Sequence, residues 1–297
     1  MNTSLRAGQV EKVNCVFQQA DFDRFAAISG DDNPIHVDPA FSARTKFGRT
    51  VAHGMFLYGV VSGVLGTRLP GPGTWQVSQE LLFPNPTYTG EKVTVQVEVT
   101  QVELEAGLAE LATSILRPDG TPGLQGRTWV RLPGAGAPAV AAKEPAPGAP
   151  GPSDCDRLKG LTIGRRAETR RVFGLHDLAE YVDLTGDANP LFTDIAYARR
   201  LGFSGPLVPG SLLGGMLSFL LGTRLPGRGT NYLKQRLEFP LPATTDQEIV
   251  AAVEVVRLRA EKQLVNLVTT CLNPAGEVVC RGEALVLVSD IGEQHEM

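Results

Sequence analysis

Asp31 and His36 bracket an Asn33-Pro34 pair in the segment Asp31-Asp32-Asn33-Pro34-Ile35-His36. Proline pushes the residue before it out of helical geometry, so the segment reads as a turn. A turn here brings a carboxylate and an imidazole together. Two such groups a few ångströms apart hold a water between them and move protons both ways near neutral pH, which is general acid–base chemistry. His53-Gly54 follows 17 residues after His36, directly before a Gly-rich apolar run over 54–66. A glycine in the first turn of a helix leaves its N–H free, with no Cβ in the way, and the helix dipole favours negative charge there. An oxyanion or a thioester oxygen fits such a position. Taken singly, Asp31 and Asn33 also read as turn-formers and helix caps. The combination with His36 and His53-Gly54 is what points to chemistry.

The elements that must position these residues occur twice. Sliding the chain by 156 places aligns 30–86 with 186–242 without a gap, with 26 identities in 57 positions. GDDNPIHVD matches GDANPLFTD, and GTRLPGPGT matches GTRLPGRGT. A Pro-, Gly- and Ala-rich stretch over 133–153 separates the copies and has the composition of a linker. The expected domains are therefore 1–132, the linker 133–153, and 154–297. In each copy a short amphipathic helix (21–28, 177–184) precedes the loop, and an apolar helix (54–66, 211–221) follows it. Four strands come next, over 75–83, 92–103, 108–116 and 126–132 in the first copy. Their counterparts are 232–239, 248–258, 263–272 and 277–288. VTVQVEV alternates with period two, as a half-buried antiparallel strand does. One buried helix followed by an antiparallel meander predicts an α+β fold with the sheet wrapped around the helix. Two copies in one chain predict a pseudo-dimer whose sheets continue edge to edge, hiding two edges.

Composition narrows the function. The chain has 297 residues, 28 Lys+Arg against 32 Asp+Glu, and a formal charge of -4. That balance argues against a nucleic-acid or anionic-lipid partner, both of which need a basic surface. The four cysteines, Cys15, Cys155, Cys271 and Cys280, form no CxxC pair and no ligand cluster with the histidines, so neither a metal site nor a disulfide framework is expected. No apolar run reaches membrane-spanning length and the N-terminus lacks a signal-peptide core, so a cytoplasmic protein is expected.

At the loop and the helix start the sequence resembles the MaoC-like, R-specific enoyl-CoA hydratases. The motif D-x-N-P-[IL]-H followed by H-G carries the resemblance. It continues through DPAFSARTKFG, VAHGM, SGVLGTRLPG and LLFPNP. The resemblance covers the first copy and, in degenerate form, the second. It implies a double hot-dog fold and reversible addition of water to a trans-2-enoyl thioester, of CoA or of an acyl carrier protein, with no metal or organic cofactor. It also implies roles: Asp31 and His36 as the catalytic pair, the Gly54 N–H on the thioester carbonyl, and Ser62 orienting the pair. Asn33 binds or orients within the loop, and His53 braces it. Lys46, Arg49 and Arg127 are candidate contacts for the CoA phosphates, because an anionic diphosphate wants cations.

In the second copy Asp187, Asn189, Pro190, Gly210 and Ser218 persist, but Phe192 replaces the histidine of the pair and Pro209 replaces that of H-G. Phenylalanine transfers no proton, so one active site per chain is expected, with a further homodimer left open. Two other functions remain open at this point. A hot-dog thioesterase would need a carboxylate on the central helix, and 54–66 has none. A non-catalytic acyl-thioester binder would not need both Asp31 and His36.

Overall fold

The computed structural model describes residues 5–134, 158, 160–228 and 230–288. Most of the 133–153 linker and the tail containing His295 lie outside them.

The first repeat runs β1 (Val10–Val16), α1 (Gln19–Ser29), α2 (Pro34–Val37), α3 (Pro39–Ser42), α4 (Gly54–Thr67), β2 (Trp75–Leu82), β3 (Lys92–Glu103), β4 (Leu108–Leu116) and β5 (Pro122–Arg131). The second runs β6 (Arg166–Val172), α5 (Leu175–Thr185), α6 (Pro190–Thr193), α7 (Ile195–Arg200), α8 (Gly210–Thr223), β7 (Thr230–Glu238), β8 (Glu248–Arg259), β9 (Leu264–Leu272) and β10 (Val278–Val288). The sequence pattern had given no strand before the first helix of either copy. β1 and β6 occupy the two outer edges of the sheet, where one face stays wet and their apolar alternation is diluted by charge.

All ten strands form one sheet in the order β1-β3-β4-β5-β2-β7-β10-β9-β8-β6. The repeats join where β2 pairs antiparallel with β7, Ser78 opposite Glu238 and Leu82 opposite Lys234. This is the edge-to-edge continuation that the duplication predicts. Helices α4 and α8 lie on the inner face and pack against each other. Nearly every residue of both is buried, which explains why they are apolar all round.

Local chemistry sets the segments that lead to the site. Asp21 and Gln18 form a capping box at the start of α1, and Gly30 ends it with φ +81°. Asn33 then caps α2, its side-chain oxygen accepting from the Ile35 N–H, with Pro34 in the first helical position. Asn189 and Pro190 repeat the arrangement at α6.

Arg24 of α1 bonds Glu180 and Asp183 of α5 at 2.7 and 2.8 Å across the pseudo-two-fold axis. These partly exposed pairs are each worth about 0–1 kcal/mol. The union of the repeats therefore rests on the continuous sheet and the α4–α8 packing.

Candidate active site

Asp31 follows the left-handed Gly30 and is 1% exposed. Its Oδ2 accepts a 2.6 Å hydrogen bond from the Ser218 hydroxyl, which comes from α8 of the other repeat. Its Oδ1 is buried without a partner. His36, inside α2, has Nδ1 2.7 Å from the Val51 carbonyl. A carbonyl only accepts, so Nδ1 carries the proton and Nε2 of the neutral ring is the open nitrogen. His53 is fully buried, and its Nε2–H donates to the Asp31 main-chain carbonyl at 2.9 Å. The two imidazoles stack at 3.8 Å between centroids.

One carboxylate oxygen of Asp31 and one ring nitrogen each of His36 and His53 lie within 4.8 Å of one another. A single water bonded to two such groups at ordinary distances spans this gap. One nitrogen of each ring is held by a carbonyl, which fixes the tautomer and leaves Nε2 of His36 and Nδ1 of His53 as the nitrogens without a hydrogen.

Burial pushes the Asp31 carboxyl above the ordinary carboxylate range, opposed by His36, the Ser218 hydroxyl and the Asn33 N–H. It pushes His36 below the ordinary imidazole value, opposed by Asp31 and the Val51 carbonyl. His53 is held well below that value by burial and by His36, and so stays neutral.

These groups face a cavity of about 150 Å³ lined by Asp31, Asn33, His36, Gly54, Ser218 and Tyr232 among others. Gly54 opens α4, so its N–H has no acceptor within the helix. A Cβ built there would stand 2.7 Å from the Phe83 ring, so only glycine lets that ring close over the helix start. The second repeat holds a cavity of only about 30 Å³ at the equivalent place. There Phe192 stands for His36 and Trp75 for Asn231, and the Trp75 ring packs edge-on against Phe203 at 5.6 Å. Asp187 persists, bonded by the Ser62 hydroxyl at 2.7 Å, and burial raises its pKa to about 6.

The family profile described as the MaoC-like domain matches residues 3–114 and 161–273, once in each repeat. This chain belongs to the MaoC-like family. The (R)-specific enoyl-CoA hydratase of Aeromonas caviae is 42% identical over 130 residues, 44% of this chain and 97% of that protein. The 3-hydroxybutyryl-CoA dehydratase of Methylorubrum extorquens is also 42% identical, over 43% of this chain and 82% of its own length. Across both repeats the fold matches a solved MaoC-like dehydratase with a TM-score of 0.76 at 17% identity, covering 96% of this chain and 99% of that one. It also matches a conserved hypothetical protein of Mycobacterium tuberculosis described as having a double hot-dog fold, with a TM-score of 0.71 at 16% identity over 95% and 96% of the two chains. The present fold is thus a double hot-dog.

Within this MaoC-like protein the residues singled out from the sequence are distributed unevenly. Asp31, Asn33, His36 and Gly54 line one cavity, and His53 lies against His36, out of contact with that space. Ser62 is elsewhere. It bonds Asp187 and lines the small cavity of the second repeat, so it does not orient the Asp31–His36 pair. The reason is a crossover: the loop of each repeat reaches over the central helix of the other, and Ser218 meets Asp31. Arg127 is also displaced. It sits on the solvent face of β5 beside Glu110 and Glu80, at 3.6 and 3.9 Å, and does not line the cavity. Arg49 pairs with Glu91 at 2.7 Å and lies over the Tyr88 ring. Lys46 is exposed next to Phe47, which lines the cavity. Arg68 and Arg224 of the paired GTRLPG segments serve structure: Arg68 bonds Glu11 at 2.9 Å, and Arg224 lies over Phe219. No helix among the described residues is long and apolar enough to cross a membrane.

Sequence reasoning missed Ser218 as a site residue, together with Val51, Tyr232 and Leu221. Val51 acts through its main-chain carbonyl, which no side-chain motif records.

Proposed function

We propose that this protein is a hydro-lyase that adds water reversibly across the double bond of a trans-2-enoyl-CoA to give a (3R)-3-hydroxyacyl-CoA. The observation that carries the reading is one buried cavity in which the open oxygen of Asp31, the open nitrogen of His36 and the Gly54 N–H meet. The substrate and the R configuration are taken from the Aeromonas and Methylorubrum relatives.

The residues divide the work as follows. Asp31 and His36 hold the water between them, and its oxygen bonds to C3 of the enoyl group. One member of the pair takes a proton from that water while the other delivers one to C2, so the net addition is one water, and a proton passing from the first member to the second restores the pair for the next turnover. Charge moves onto the thioester oxygen as the C2–C3 π bond breaks. The Gly54 N–H, at the positive end of α4, binds that oxygen where the charge develops, a contribution of about 10²–10³ in rate. Ser218 fixes Oδ2 of Asp31 so that Oδ1 is the oxygen presented to water. Lys46, beside the cavity-lining Phe47, serves the CoA phosphates, whereas Arg49 is engaged with Glu91. The working site belongs to 1–132, and 154–297 supplies the opposing wall and Ser218.

Purified protein mixed with crotonyl-CoA tests the reading. Loss of the enoyl ultraviolet absorbance without release of free thiol is expected. Release of thiol would make the protein a thioesterase, and silence on short, medium and branched enoyl-CoA would leave a binder.

A further inference from the structure

The cavity that holds Asp31 and His36 is small for a site that takes an acyl chain. An apolar space of about 150 Å³ accommodates roughly one benzene, that is, about six carbons. The cavity here has about the same volume, is open on one side and lined partly by polar groups, and the thioester carbonyl, C2 and C3 must share it with the acyl tail. What remains is room for a short tail.

One wall of this space belongs to Tyr232 on β7, opposite Val286 of β10 in the sheet register. Its ring lies 5.6 Å from that of Phe83, which closes over Gly54. Its hydroxyl donates to the side-chain oxygen of Gln235. Gln235 is completely buried, and its amide nitrogen donates to the Arg236 carbonyl at 2.6 Å and the Thr269 hydroxyl at 3.1 Å. The tyrosine is thus tied at its backbone, its ring and its oxygen. Swinging it aside would orphan a buried hydroxyl and a buried amide oxygen together. The equivalent residue of the first repeat is Gln76, which accepts from the Tyr58 and Ser62 hydroxyls instead. The second repeat therefore brings a rigid ring to a place where its twin carries an amide, and the ring faces the working cavity of the first.

The geometry points to Tyr232 as the residue that ends the acyl space, making the protein selective for short-chain enoyl thioesters of about four to six carbons. This inference rests on the hydratase reading above. Tyr232 touches no reacting atom, and its role is to set chain length.

The test compares kcat/KM on crotonyl-, hexenoyl- and octenoyl-CoA for the wild type, Tyr232→Phe and Tyr232→Gln, the last borrowing the first repeat's own residue. Each methylene that a hydrophobic pocket accepts or refuses changes the rate by about tenfold or more. The wild type should therefore prefer crotonyl- over octenoyl-CoA by at least about tenfold, and Tyr232→Gln should shift that ratio toward octenoyl-CoA by a similar factor. Tyr232→Phe keeps the ring but frees it, and should relax the ratio less. A wild type that hydrates octenoyl-CoA within about threefold of crotonyl-CoA overturns the inference. So does a Tyr232→Gln variant that loses both activities in proportion, since a merely structural tyrosine behaves that way. Calorimetric titration of the wild type with butyryl- and octanoyl-CoA reads the length of the space without turnover. Tighter butyryl-CoA binding with no turnover would refute the hydratase reading alone, and equal or tighter octanoyl-CoA binding would refute the chain-length inference alone.

Discussion

Asp187→Asn isolates the cost of carrying a buried carboxyl that has no chemical task. Asp187 is completely buried in the repeat that lacks a histidine partner, and burial lifts its pKa from 3.8 to about 6 in the folded state. Below about pH 3 the group is protonated in both folded and unfolded chains and contributes nothing. Between about pH 4 and 6 the unfolded chain ionises while the folded one does not, so stability falls as pH rises, and above the folded pKa the loss is complete. Each pKa unit is 1.36 kcal/mol, so the full loss is about 3 kcal/mol. With about 2.1 cal/mol/K of unfolding entropy per residue, that is about 5 °C in Tm for a chain of 297 residues. Asparagine keeps the shape and accepts from Ser62 but does not ionise. The variant's Tm relative to wild type should therefore rise by about 5 °C between pH 3 and pH 7.5. Any constant packing offset cancels in this comparison. Thermal unfolding of both proteins across the pH series, with crotonyl-CoA turnover measured beside it, makes the check. A Tm difference that stays flat with pH refutes the reasoning, and so does a collapse of turnover in the variant.

Other substitutions probe the site directly. Asp31→Asn and His36→Gln should each reduce crotonyl-CoA hydration by about 10²–10⁴ while leaving the far-ultraviolet circular dichroism unchanged. Ser218→Ala should lower kcat by about tenfold through loss of one charge-assisted hydrogen bond, and Ser62→Ala should leave kcat alone; equal effects would refute the crossed assignment. Gly54→Ala places a Cβ 2.7 Å from Phe83 and should cost about 10² or more in kcat/KM, whereas Gly210→Ala should cost stability with little effect on turnover. Restoring histidine in the second repeat, by Phe192→His with Pro209→His in an Asp31→Asn background, should add no turnover to the residual activity of Asp31→Asn alone, because the space there is only about 30 Å³.

Much of this arrangement is legible in the sequence, and the exceptions have a common cause. The 156-residue repeat, the Asn-Pro turns and the two all-apolar helices are local patterns, and they foretell eight of the ten strands and an edge-to-edge join of the two sheets, though not which strands make it. The strands missed, β1 and β6, are edge strands with one wet face, where charge interrupts the alternation. Within the site, Asp31, Asn33, His36 and Gly54 were found because each lies in a short motif. Ser218 was not, because Ser62 and Ser218 occupy equivalent positions in twin helices and nothing local says which faces which aspartate. That choice is made by the pseudo-two-fold packing of α4 on α8. Arg127 was chosen because a diphosphate wants cations, and charge alone does not say which face of β5 a side chain takes; it stands on the solvent face beside Glu110 and Glu80.

The crossed serine contacts also govern how such a chain can change over generations. The half without a proton-transfer pair is no free passenger, because its helix completes the other half's loop. Ser218 bonds Asp31, and a Cβ at Gly222 would come within 3.5 Å of Asp31 and 3.0 Å of Asn33, whereas their twins Ser62 and Gly66 meet Asp187. The proposed function therefore predicts selection that runs diagonally, binding the first loop to the second helix and releasing the second loop and the surface of the first helix that meets it. In two identical subunits made from one gene, any substitution strikes both centres at once. Once the copies are joined in one chain, a single codon change at position 192 silences one centre and leaves its neighbour working, and the freed half can take on residues, such as a tyrosine at 232, that serve the survivor.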